Sequence, residues 1–96
     1  SDVCSSDLKI VLDGHNYFAT ELCIVNEVPE RYLYAGELTD QEKKYAFIDG
    51  SKYYTPNSDG VPEDFYIYQE CGTPVSEHEV DNTKRQWAYV KWRLED

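Results

Sequence analysis

The residues able to do chemistry in this chain are few and poorly spaced for it. His15 and His78 are the only histidines, and they stand far apart. Neither falls into a Cys/His spacing that holds zinc. Cys23 and Cys71 lack the paired C-x-x-C form, so no metal site is expected. The loop Asn57-Ser58-Asp59-Gly60, with Glu63 and Asp64 close behind, supplies hard oxygen ligands and resembles a calcium loop. An EF-hand places acids at alternate positions and a Glu at the twelfth, and that order is missing. Asn57, Asp59 and Gly60 read more simply as residues that set a turn. Nucleophilic catalysis finds no G-x-S-x-G elbow, no phosphate-cradling loop and no dinucleotide turn. His78 lies among acids in Ser76-Glu77-His78-Glu79, but no motif places a nucleophile beside it. Paired carboxylates can do acid–base work, yet with so many acids some pair is close by chance. The chain is expected to be no enzyme and to need no cofactor.

Aromatic residues are the distinctive chemistry. Nine Tyr carry most of a 15% aromatic fraction, and Tyr combines apolar area with a polar handle. Two stretches alternate strictly: Phe65-Tyr66-Ile67-Tyr68 and Trp87-Ala88-Tyr89-Val90. If Phe65, Ile67, Val90 and Trp92 are core, then Tyr66, Tyr68, Trp87 and Tyr89 face outward on neighbouring strands. Such a strip is a candidate binding surface for sugar rings or a protein partner. The competing reading is structural, because cross-strand aromatic pairs commonly serve only to stabilise a sheet.

The elements that must position these residues are strands. Lys9–Leu12 and His15–Val25 flank Asp13-Gly14, a strong two-residue hairpin signal. Within the second run, Phe18, Thr20, Leu22 and Ile24 share one face, and Tyr17, Ala19, Glu21, Cys23 and Val25 the other. Arg31–Leu38 is the next strand, with Tyr32 and Tyr34 opposite Leu33 and Ala35. Thr39 with Glu42 forms a capping-box pattern that allows one or two helical turns, or a polar turn, at Asp40–Lys44. Tyr45–Ile48, Asp49-Gly50 and Ser51–Pro56 repeat the hairpin grammar. Phe65–Glu70 is a strand, residues 71–85 form a long polar connection, and Gln86–Glu95 closes the chain. Its Ala88, Val90, Trp92 and Leu94 make one apolar face. The sum is all-β: about six to seven short antiparallel strands and at most one short helix, a small sandwich or partly open barrel.

With 96 residues, the chain has room for one domain with a modest core. The opening Ser-Asp-Val-Cys-Ser-Ser-Asp-Leu matches, at every position, one reading frame of a widely used sequencing adapter. Residues 1–8 are therefore expected to be an adapter-derived scar, and 9–96 a single β domain. Setting aside Asp2 and Asp7 takes 19 acids to 17 against 9 basic residues, and the net charge from −10 to −8. That balance argues against direct binding to nucleic acid or an anionic membrane surface. No run approaches the ~20 apolar residues of a membrane helix. Without Cys4, two cysteines remain. In an exported protein Cys23 and Cys71 could close one long loop, worth about 3–4 kcal/mol; in the cytosol they would be ordinary buried thiols.

The segments Arg31–Leu38, Asp49–Pro56, Glu63–Pro74 and Gln86–Trp92 together resemble the Tyr-rich C-terminal β-modules of small uncharacterised proteins from Gram-positive, gut-type bacteria. Many of those are expected to be secreted or lipoproteins. The resemblance spans about Val28 to Trp92 and carries no catalytic signature. It implies a cell-surface or extracellular setting and a non-enzymatic role, with a metagenomic origin that fits the adapter scar. The expected function is a binding or structural module of an exported bacterial protein. The alternative is an acidic cytoplasmic inhibitor, a phage-type anti-defence protein mimicking nucleic-acid charge. Against it, the acids interleave with Lys43-Lys44, Lys84-Arg85 and Lys91, where a mimic needs a continuous anionic face.

Overall fold

Asp13 and Gly14 turn the chain as their types require. Both take positive φ, 54° and 81°, the backbone of a type I′ two-residue hairpin. The turn joins β1 (Lys9–Leu12) to β2 (His15–Val25), with Leu12 opposite His15. The computed structural model describes residues 9–56, 60–76 and 79–95, the side chains of residues 21–23 excepted. The leading octapeptide, Asn57 and Asp59 of the calcium-like loop, and His78 lie outside the described residues. After β2 the chain crosses to the far edge and returns as a meander: β3 (Tyr32–Glu37), β4 (Lys52–Pro56), β5 (Asp64–Ser76) and β6 (Glu79–Leu94). β6 then pairs with β2, giving one sheet in the order β1-β2-β6-β5-β4-β3 with every pair antiparallel. The sheet is curled into an open half-barrel. The all-β expectation holds, and the described residues contain no helix.

One face of the curl holds the core. Ile10, Leu12, Tyr17, Phe65, Ile67, Cys71, Ala88, Val90 and Trp92 form it, joined by Leu38 and Ala46 from the β3–β4 connection. The expected apolar faces of β5 and β6 are therefore the real ones. Two buried polar groups in this core are satisfied. The Tyr17 hydroxyl donates to the Pro62 carbonyl at 2.8 Å, and the Trp92 indole N–H donates to Gln69 Oε1 at 3.1 Å. β2 departs from simple alternation. Ala19 pairs with Trp92 but Ile24 pairs with Val90, so five steps on β2 match two on β6. This bulge exchanges the faces. Tyr17 is fully buried before it and Ile24 packs on the core after it, although their positions differ in parity.

Two expectations fail, each for a physical reason. Tyr45–Ile48 is not a strand, and Asp49-Gly50 is not a hairpin turn. Thr39 and Glu42 instead close a reciprocal capping box: the Thr39 N–H donates to Glu42 Oε1 at 2.8 Å and the Glu42 N–H to Thr39 Oγ1 at 3.2 Å. The box starts a run of turns over residues 40–46, short of a helix. The segment then acts as a plug. It drops Ala46 and Ile48 onto the core and offers the carbonyls of Tyr45 and Glu42 to the N–H groups of Lys9 and Val11 on edge strand β1, both at 3.3 Å. That contact satisfies groups an open edge would expose. Gly50 serves close approach, since a Cβ there would lie 1.9 Å from the Tyr68 carbonyl oxygen.

Residues 71–76 and 79–85 are likewise no polar loop. β5 and β6 continue through them as a long hairpin, Gly72 opposite Arg85, Thr73 opposite Asp81 and Pro74 opposite Val80, with two register shifts. The hairpin tip runs beyond the core. Pro74, Val75 and Ser76 are exposed, as are Asn82, Thr83, Lys84 and Arg85. Alternation reports one buried face, and here little of either face is buried.

Candidate binding surface

The opposite face of the sheet carries the aromatic residues that the core face leaves over. Tyr68 and Tyr89 are directly opposed in the β5–β6 register, and Trp87 is opposite Glu70. Tyr68 contacts Trp87 at a centroid distance of 5.4 Å, tilted by 35°, and Tyr89 at 4.9 Å, tilted by 47°. Tyr54 on β4 meets Tyr89 at 5.4 Å, nearly edge-on, and Tyr34 on β3 meets Tyr54 at 5.6 Å. Five rings thus form one chain of contacts across four strands. Three inter-strand spacings make it about 14 Å wide. Tyr34, Tyr68 and Trp87 are 55%, 38% and 46% exposed; Tyr54 and Tyr89 are half-buried. Burial and the neighbouring Tyr54 hydroxyl push the Tyr89 phenol above its usual pKa, with Glu27 adding a smaller push.

Of the four residues expected in the strip, Tyr68, Trp87 and Tyr89 come together at the surface. Tyr66 shares their face but is buried. The ring of Tyr32 stands edge-on against it at 4.8 Å, and Arg31 lies over the Tyr32 ring at 5.2 Å. The Tyr32 hydroxyl donates to Asp64 Oδ1 at 2.5 Å, and Lys91 Nζ is 3.4 Å from Asp64 Oδ2. This end of the aromatic face carries its own lid. Burial, with the Asp64 hydrogen bond second, pushes the Tyr32 hydroxyl up to about 12, while Arg31 opposes the shift. Tyr34 and Tyr54 were not singled out in the sequence. Their strands are Tyr-rich, but only the β3–β4 register, Tyr34 opposite Tyr54, aligns them with the strip.

The cysteines do not join. Cys71 is a buried free thiol, and burial raises its pKa against the pull of Arg85. Cys23 belongs to β2, and its side chain lies outside the described residues. Its neighbour Ile24 pairs with Val90, whereas Cys71 pairs with Gln86 from the other side of β6. Four residues along a strand are about 13 Å, beyond the ~7 Å Cα separation that a disulfide spans. Among the described residues no group of three or more His, Cys, Asp and Glu could hold a metal, and no helix is long and apolar enough to cross a membrane.

The core face carries a concavity of about 310 Å³. It lies between the plug residues Ala46–Asp49, the bulged part of β2, and β5 and β6 around Gln69, Cys71 and Val90. No family model, no curated protein and no solved structure matches the chain.

Proposed function

We propose that this chain is a non-catalytic binding module of an exported bacterial protein, and that its exposed aromatic strip engages a protein partner. The observation that carries the reading is the ring chain Tyr34–Tyr54–Tyr89–Tyr68–Trp87, continuous across four strands and open to solvent at three of its members. Exposed Tyr and Trp in a cluster are the residues that anchor protein interfaces. The ring angles favour a protein over a sugar. Tyr54–Tyr89 at 83° and Tyr34–Tyr54 at 63° are edge-to-face pairs, whereas a platform for flat sugar rings needs several ring faces turned the same way. The exported setting rests on the resemblance of the Tyr-rich strands. Charge mimicry finds no support on this face, where Lys91 and Arg93 continue the outward row begun by Trp87 and Tyr89 on β6.

The test is capture of partners from producer-cell extracts by immobilised wild type and by a Tyr68→Ala/Trp87→Ala double variant, both checked for folding by circular dichroism. The expected result is a protein retained by wild type and lost by the variant. Equal retention by both, or binding to a glycan array in place of protein, refutes the reading.

A further inference from the structure

The concave cleft is independent of the aromatic strip and lies on the other face of the sheet. Its volume, about 310 Å³, is at the lower end of the range for small-molecule sites. For scale, a dry cavity of about 150 Å³ accepts a benzene ring. Ile24, Ala46, Ile48 and Val90 supply an apolar lining, all four of them half-buried or buried members of the core assembly.

One polar group in this lining is unusual. Gln69 is only 8% exposed. Indole N–H is a donor only, so the atom facing Trp92 must be the Gln69 carbonyl oxygen. That bond fixes the orientation of the amide and leaves its NH2 group for the cleft. The NH2 has no hydrogen-bond partner among the described residues, yet it is not sealed away from solvent. A donor pair on a largely buried side chain, held in one orientation and open to a cavity, is placed to serve an acceptor.

The mouth of the cleft carries a second irregularity. Phe47 lines it while remaining 80% exposed, and its φ is +53°. A non-glycine residue in the left-handed region is strained, and such strain collects at ligand clamps. The strain holds a large apolar ring in water at the lip, where it gains contact only if something enters. The charged lining residues are Asp49, Glu70 and Arg85, a sum of −1, so the cleft does not attract an anion.

From these observations we infer that the cleft binds a small, uncharged, apolar molecule carrying a carbonyl oxygen. The carbonyl accepts from the Gln69 NH2, the apolar body lies on Ile24, Ile48 and Val90, and Phe47 folds against its outer side. The site is separate from the partner surface proposed above, and neither depends on the other.

The test is a titration of the isotopically labelled protein with acetophenone, and with ethylbenzene as the analogue lacking the oxygen. The Gln69 side-chain NH2 and the Trp92 indole N–H are the reporters. Acetophenone is expected to shift both signals and to bind at least about ten-fold more tightly than ethylbenzene, the cost of leaving a buried donor unpaired. Gln69→Met should abolish that preference. Phe47→Ala, at an exposed position that folding does not need, should weaken both compounds alike and keep the preference. Absence of shifts at Gln69, equal affinity for the two compounds in the wild type, or shifts centred on Trp87 of the other face overturns the inference.

Discussion

Gly50→Ala is the sharpest probe of the architecture. The new Cβ would sit 1.9 Å from the Tyr68 carbonyl oxygen and 2.9 Å from the Gln69 Cα. Both are backbone atoms of β5, so no side chain can swing aside. Restoring an ordinary contact of about 3.5 Å requires the plug to lift by about 1.5 Å. A gap of even ~1 Å forfeits up to half of the dispersion attraction of the atoms lining it. Ala46 and Ile48 lose their seat on the core, and the Lys43 ammonium loses its 2.6 Å bond to Ser51 Oγ. Overpacking and partial undocking of this kind cost about 2–4 kcal/mol. For a domain of this size that lowers Tm by roughly 10–30 °C. The assay is urea and thermal denaturation followed by circular dichroism. Gly14 is the matched control, since it also follows an Asp but has φ +81° and nothing within 4 Å of its absent Cβ. Asn tolerates that backbone, so Gly14→Asn should stay within about 1 kcal/mol of wild type. Gly50→Asn should be at least as damaging as Gly50→Ala. If Gly50→Ala unfolds within about 0.5 kcal/mol of wild type, the plug does not sit against β5 and the reasoning fails.

The two tryptophans should separate core from surface: Trp92→Ala is expected to cost about 3–5 kcal/mol and Trp87→Ala under about 1.5 kcal/mol, both read from urea midpoints. Equal losses would make the aromatic strip a structural element. Tyr32 gives a pH signature, because its folded pKa of about 12 lies above the ordinary 10.0. The unfolded chain releases this proton first, so the contribution of Tyr32 is intact below pH 10 and is lost as pH rises to about 12. Tyr32→Phe should therefore show a shallower fall in stability across that window, and an identical slope would refute the buried Tyr32–Asp64 pair. Cys71 should resist iodoacetamide in the native protein and react once the chain is unfolded without reductant. Recovery of a Cys23–Cys71 cross-linked peptide would contradict the strand register.

What this sequence determined alone is what depends on neighbours in the chain. Strict alternation in Phe65–Tyr68 and Trp87–Leu94 marked the core and outer faces of β5 and β6. Asp13-Gly14 specified its own turn, and Thr39 with Glu42 specified its own capping box. What the tertiary structure decided is which of several locally acceptable options survives contact with distant segments. Asp49-Gly50 has the same letters as Asp13-Gly14, yet Gly50 is selected by the Tyr68 carbonyl pressed against it. The bulge in β2 exchanges faces because β6 offers two residues where β2 brings five. Tyr66 is covered because β3 arrives beside β4 with Tyr32 at the right height. The Gln69 amide is oriented by an indole 23 residues away. Local steric and hydrogen-bonding preferences act over a few residues and are legible in order. Register, close approach and lid formation are set by long-range pairing, which appears only when the strands are placed side by side.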